Sequence, residues 1–233
     1  MKYFITFAPE MANSFFQFKQ FRVSQDRCAM KVGTDGTLLG AWAQGGTDIL
    51  DIGTGTGLIA LMMAQRFPES TIKAIDIDAE ACSQAAENVA ASPFAQRMVV
   101  VHASLQSYTS TCDSIVCNPP FFSDSLHSPD SQRTMARHTT TLSYAELFRS
   151  VAGLLSQNGV FSAVIPFDCR RAFDDEAIFA GLFPSRVCAV RTTWRKPPRR
   201  YLLEYRRNPV AVETSELVIG SEEHQHLLRD FLL

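Results

Sequence analysis

Short apolar runs rich in Ile, Val and Leu alternate with segments of helical length from about residue 47 onward. Thr47-Asp-Ile-Leu-Asp-Ile52 predicts a strand, and the apolar stretch Leu58 to Phe67 predicts the helix after it. Thr71 to Asp76 predicts a second strand, followed by a helix over Ala79 to Ala91, where Ala and Glu dominate. Met98 to His102 and Asp113 to Cys117 read as further strands. Ser143 to Leu155 reads as a helix with a Ser N-cap and Glu146 three residues on, the spacing of a capping box. Gly159 to Ile165, entered through Asn158-Gly159, is a fifth strand, and a helix over Phe173 to Phe183 precedes two β-rich runs, Arg186 to Thr193 and Tyr201 to Tyr205. Strands that alternate with helices build βαβ units and a parallel sheet. The last two runs are separated by the polar turn Arg195-Lys-Pro-Pro-Arg-Arg200, too short for a crossover, so they form an antiparallel hairpin. The expected fold is α/β: a doubly wound, mostly parallel seven-stranded sheet with a C-terminal antiparallel hairpin.

With 233 residues, 46% hydrophobic and 20% charged, the chain can bury the core of one α/β domain, which argues against disorder throughout. One domain over residues 1–233 is expected, with the sheet core in 47–233 and an extension in 1–46. No window reaches membrane-spanning length, and Met1 to Glu10 lacks the basic lead and cleavage site of a secretory signal. The cysteines at 28, 82, 112, 117, 169 and 188 form no Cys-x-x-Cys pair, and several sit in apolar runs, as reduced thiols do. A cytoplasmic protein with no membrane partner is expected, as a monomer or weak homodimer. The net charge of −2 hides an asymmetry. Arg186 to Arg207 holds eight basic residues and one acid, a net of +7, whereas the other fourteen basic and twenty-three acidic residues give −9. Such a cluster on an acidic body is the footprint of a phosphate-backbone binder, although a solvated charged face produces the same run.

Asp51-Ile-Gly53-Thr-Gly55-Thr-Gly57 lies between the first strand and its helix. Glycines there permit a tight turn and close approach of backbone to a ligand, and the helix N-terminus offers free N–H groups. Asp76, at the end of the next strand, is placed where an acid binds the hydroxyls of a ribose. Together they point to an adenosine-containing cofactor, NAD or S-adenosylmethionine. The spacing Gly-x-Gly-x-Gly after an acid differs from the dinucleotide fingerprint and resembles the methyltransferase loop, in which the acid lies near the methionine ammonium. Asp78 reads as a helix N-cap.

Asn118-Pro119-Pro120-Phe121, directly after the fourth strand, resembles the Asp/Asn-Pro-Pro-aromatic motif of class I amino methyltransferases, which have a Rossmann-like fold. An exocyclic base amine is a poor nucleophile because its lone pair is delocalised into the ring. Acceptors at the Asn118 amide oxygen and the Pro119 carbonyl would take its two hydrogens and free that lone pair, and no strong base is then required. Phe121 can stack on the base, while Phe122 is expected to pack. The segments from Phe18 to Gly40, Asp51 to Gly57, Asn118 to Phe122 and Ser125 to His138 together resemble the bacterial tRNA(Val) adenine N6-methyltransferase family, over nearly the whole chain. The resemblance implies S-adenosylmethionine as cofactor, adenine-37 of tRNA1(Val) as substrate, and a position over the cofactor for Lys31 to Gly40, with Thr34 and Asp35 near the methionine. Lys31, Thr34, Asp35, Asp51, Gly53, Gly55, Gly57, Asp76, Ser104 and Asn118 are the expected cofactor contacts. One departure is Ala103-Ser104, where many such enzymes carry an acid that accepts from the cofactor's adenine amine; Ser104 would have to replace it.

For the RNA, Arg133, Arg137 and His138 are expected in a lid that holds phosphates, the alternative being a plain surface loop. Arg195, Lys196, Arg199 and Arg200 are expected to contact the tRNA backbone from the hairpin turn. No metal site is expected, since His224-Gln-His226 has no further ligands beside it. Two other substrates stay open: a release-factor glutamine, whose methyltransferases share Asn-Pro-Pro but usually carry Tyr next and a helical N-terminal domain, and a ribosomal RNA base. A non-catalytic cofactor-binding module is the third class.

Overall fold

The computed structural model describes residues 14–28, 30–120 and 142–233. It opens with a small antiparallel pair, β1 (Phe15–Gln17) and β2 (Arg22–Ser24), and helix α1 (Thr34–Trp42). The alternation then runs β3 (Asp48–Ile52), α2 (Leu58–Arg66), β4 (Thr71–Asp76), α3 (Ala79–Ala90), β5 (Met98–His102) and β6 (Cys112–Cys117). Helix α4 (Tyr144–Leu154), β7 (Leu155–Pro166), α5 (Arg170–Phe179), β8 (Phe183–Arg191), β9 (Arg200–Arg206), β10 (Glu213–Val218) and α6 (Glu222–Leu228) complete it.

The main sheet has the order β10-β8-β9-β7-β6-β3-β4-β5. Its pairs are parallel except where β9 inserts between β7 and β8, so the expected C-terminal hairpin is present within a mostly parallel sheet. Side chains of β3 alternate between two cores, as a central strand covered on both faces requires. Ile49 joins Ile72, Val116 and Val164 beneath α1 and α2, whereas Leu50 and Ile52 join Ile75, Phe161, Phe148 of α4 and Phe173 of α5.

Three boundaries depart from the apolar pattern. The sheet has eight strands, not seven: β10 pairs in parallel with β8, but only Leu217 and Val218 of it are buried, and such a polar edge strand leaves no alternation to detect. Helix α5 begins at Arg170 and stops at Phe179, because Gly181 at φ 77° closes it with the Leu182 N–H donating to Ala177 O and the Gly181 N–H to Ile178 O. Strand β7 starts at Leu155 straight from α4 and shifts register between Cys112 and Ser114 of β6.

The capping box at α4 is formed. Ser143 Oγ accepts from the Glu146 N–H at 3.2 Å, and Glu146 Oε2 accepts from the Ser143 N–H at 3.0 Å. Ser143→Ala is therefore expected to cost about 1 kcal/mol of folding free energy, read from the urea midpoint at constant m-value; an unchanged midpoint would mean that the box contributes nothing.

Candidate functional site

Register sets the site. Ile52 of β3 pairs with Ile75 of β4 on one side and with Cys117 of β6 on the other. Gly53, Asp76 and Asn118 therefore leave three adjacent strands at one level, at the carboxyl edge where doubly wound sheets bind ligands. A cleft of about 1070 Å³ lies there, lined among others by Gly53, Gly55, Asp76, Ser104, Asn118 and Pro119.

Gly53, Gly55 and Gly57 all have positive φ, 67°, 55° and 82°, a region that side-chain-bearing residues avoid. The loop is pinned to the end of β4: the N–H groups of Gly53 and Thr54 donate to Ile75 O at 2.9 and 3.0 Å, and the Gly55 N–H donates to Asp76 Oδ2 at 2.9 Å. A Cβ added at Gly53 would meet nothing within 4 Å, so this backbone is open to a ligand. Gly57 does not line the cleft; it is the N-cap of α2.

Asp51 lies beneath the loop, fully buried and off the cleft lining. Its Oδ2 accepts from Thr54 Oγ at 2.6 Å and from the Ala60 N–H at 3.2 Å, so it clamps the loop and caps α2 in place of the side chain that Gly57 lacks. Its Oδ1 has no partner among the described residues. Burial, with the charge of Asp76 adding to it against the two hydrogen bonds, pushes the Asp51 carboxyl up to about 7. Asp76, unlike Asp51, lines the cleft. Each of its oxygens accepts one N–H, Oδ2 from Gly55 and Oδ1 from Asp78 at 3.0 Å, which leaves lone pairs for hydroxyls. Asp78 caps α3 through the Glu80 and Ala81 N–H groups. Ser104 donates to Ser107 Oγ at 3.2 Å and keeps its acceptor capacity.

Lys31, Thr34 and Asp35 lie along the same cleft, at the start of α1. Asp35 Oδ2 accepts from Arg200 Nε at 2.7 Å, and Arg200 is itself a lining residue. Arg200 was expected on the outer turn with its basic neighbours; it turns inward instead. Asn118 Nδ2 lies 3.6 Å from Met30 Sδ, and Asn118 Oδ1 is buried with no partner among the described residues. Phe121, Phe122, Arg133, Arg137 and His138 lie outside the described residues.

The C-terminal basic cluster is divided by folding. Arg186 and Arg206 pair with the buried Glu204, Arg191 with Glu216 and Arg200 with Asp35, and Arg207 donates to the carbonyls of Leu155 and Ala152. Arg195, Lys196 and Arg199 are exposed on the turn and carry no salt bridge among the described residues. His224 and His226 lie on α6, and no described group of His, Cys, Asp and Glu is arranged to hold a metal. Met30, Ile77, Gln106 and Glu146 also line the cleft; tertiary contact brings each there, and the one motif among them, the capping box of Glu146, signals a helix start and not a ligand site.

Residues 37–165 match the model of the methyltransferase small domain. A tRNA1(Val) (adenine(37)-N6)-methyltransferase of Bacteroides fragilis strain YCH46 is 48% identical over 96% of this chain and 99% of the relative. A protein of the same name from Trichodesmium erythraeum strain IMS101 is 41% identical over the same shares. Among solved structures, a predicted O-methyltransferase from Agrobacterium tumefaciens superposes with TM-score 0.58 at 16% identity, covering 81% of this chain and 90% of its own. A ribosomal protein L11 methylase from Lactobacillus delbrueckii subsp. bulgaricus gives 0.54 at 17% identity, over 75% and 78%. At such identities the structures speak for a shared Rossmann-like fold alone. Identity near half over nearly the full length of both chains is decisive for the family: this chain is a methyltransferase belonging to the tRNA1(Val) (adenine(37)-N6)-methyltransferase family.

Proposed function

We propose that the chain transfers a methyl group from S-adenosylmethionine to the N6 amine of adenine-37 in tRNA1(Val). The carrying observation is the buried Asn118 Oδ1, which has no hydrogen-bond partner among the described residues and stands level with Gly53 and Asp76 at one cleft. An acceptor without a donor at a ligand cleft is a costly arrangement in the free protein and suits a substrate N–H.

The cleft residues fit the cofactor. Asp76 would hold the ribose hydroxyls, the open backbone at Gly53 would admit the methionine side, and the half-exposed Ile77 and Ser104 flank the place for the adenine. Lys31, Thr34 and Asp35 support the reading of residues 1–46 as an extension over the cofactor. When bound, S-adenosylmethionine supplies an electrophilic methyl on a positively charged sulfur. Asn118 Oδ1 and the Pro119 carbonyl then accept the two hydrogens of the amine and turn its lone pair toward the cleft. The two prolines fix the backbone φ angles, so the acceptors are held before the base arrives. Phe121 is assigned the stack on the base, and Arg133, Arg137 and His138 the phosphates around it, on the resemblance of that segment.

The test is incubation with a labelled methyl donor and, separately, tRNA lacking the modification, ribosomal RNA, DNA or a peptide release factor. Label recovered as N6-methyladenosine at position 37 of tRNA1(Val) is expected. Label in ribosomal RNA or in a release-factor glutamine alone would replace this reading by one of the other two.

A further inference from the structure

We propose that Trp194 and Phe167 are stacking positions for unpaired RNA bases that flank the target adenosine. The inference rests on the reading of the cleft as a site for an RNA adenine. Trp194 is 65% exposed and Phe167 42% exposed, and Trp194 makes no ring or cation contact among the described residues. A solvated indole at a turn contributes nothing to the core, so its place needs another reason.

The turn that carries it is built rigidly. The Lys196 N–H donates to Thr193 O at 3.2 Å, which puts Trp194 and Arg195 side by side at the two central positions. Arg191 braces the turn, donating to Lys196 O at 2.8 Å while its guanidinium is held by Glu216. Pro197 and Pro198 stiffen the return, and the Arg199 N–H donates to Val190 O at 2.8 Å. An aromatic held in advance loses little entropy when a base stacks on it.

Topology places this turn beside the cleft. Arg200 pairs in register with Pro166 at the carboxyl end of β7, and Phe167 follows directly, its N–H donating to Arg199 O at 3.1 Å. Phe167 in turn stacks on Tyr201, ring centroids 5.8 Å apart, and the Arg170 guanidinium lies 4.6 Å from the Tyr201 centroid. Strand β9 is two strands from β6, a lateral step of about 10 Å from the strand that ends at Cys117, just before Asn118. The turn thus joins Trp194 to Arg195, Lys196 and Arg199, next in the chain to Arg200, which lines the cleft read as taking one base; Trp194 and Phe167 themselves lie outside that lining. That composition fits a single-stranded loop, whose bases present π faces and whose phosphates need cations; a duplex hides those faces.

The chain has two tryptophans, and the other, Trp42, is half-buried under Arg186 with the guanidinium 4.2 Å from its ring. A Trp42→Phe protein therefore reports on Trp194 alone. Its emission is expected to be quenched by an unmodified anticodon stem-loop and left unquenched by a blunt RNA duplex of equal length. Trp194→Leu should raise the KM for the stem-loop about fivefold or more, as expected for one lost base stack, and Trp194→Phe should restore it. Affinity for S-adenosylmethionine alone is the control for folding. Methylation of the stem-loop with unquenched emission and an unchanged KM in Trp194→Leu would overturn the stacking platform while leaving the methyl transfer intact. Neither quenching nor methylation of any RNA would overturn both.

Discussion

Asn118→Ala is expected to lower kcat for RNA methylation by about a hundredfold or more, while the Kd for S-adenosylmethionine stays within a few-fold. Asn118 Oδ1 is a buried acceptor with no donor among the described residues, and Asn118 leaves β6 at the level of the glycine loop and of Asp76. Alanine removes the acceptor and keeps Pro119, so one hydrogen of the amine loses its partner and the lone pair returns to the ring. Neither the Gly55 to Asp76 bond nor the Asp51 clamp involves Asn118, and the cofactor side should persist. Asn118→Asp retains an acceptor in place and should keep more activity than alanine. Single-turnover rates and direct cofactor binding decide it: an alanine variant with native turnover would remove Asn118 from the chemistry.

The second large effect concerns stability. Burial pushes the Asp51 carboxyl from 3.8 up to about 7 in the folded chain. Between these values the unfolded chain has lost this proton and the folded chain retains it, so raising the pH favours unfolding. Stability contributed by Asp51 is full below about pH 4, declines as pH rises toward 7 and is level above it. Asp51→Asn removes the titration while its amide oxygen can still accept from Thr54 and Ala60. The stability of the variant relative to the natural chain should rise by roughly 2–3 kcal/mol between pH 5 and pH 8, measured by urea unfolding at both. A difference that stays constant across that range would show that Asp51 is ionised throughout.

Much of the frame was legible in advance because it depends on local periodicity. Strands β3, β4, β5 and β6 and helices α2, α3 and α4 stand where the apolar pattern puts them, within a residue or two. The glycine loop and Asn118-Pro-Pro were legible for the same reason: φ preferences and missing N–H groups are properties of single residues. The roles of charged residues were less legible. Asp51 has the sequence position of a ligand contact, yet it sits under the loop as a clamp, because its strand carries it into the core before the loop turns out. Five of the eight clustered C-terminal basic residues are held by acids or carbonyls. A charge count cannot foresee this, since the partners of Arg191, Arg200 and Arg207 lie 25, 165 and 52 positions away.

The sequence by itself determined the α/β alternation, the glycine turn with its following acid, and the stiff acceptor motif, all of which need only near neighbours and the geometry of one strand or one turn. Tertiary structure decided which of these meet. Parallel register brings Gly53, Asp76 and Asn118 to one level, and the insertion of β9 between β7 and β8 carries Arg200 to Asp35 while leaving Trp194, Arg195, Lys196 and Arg199 outside. The physical reason is that a strand's pairing partner, and so the direction in which the turn beyond it faces, is selected by burying two cores at once, a condition that no single segment contains.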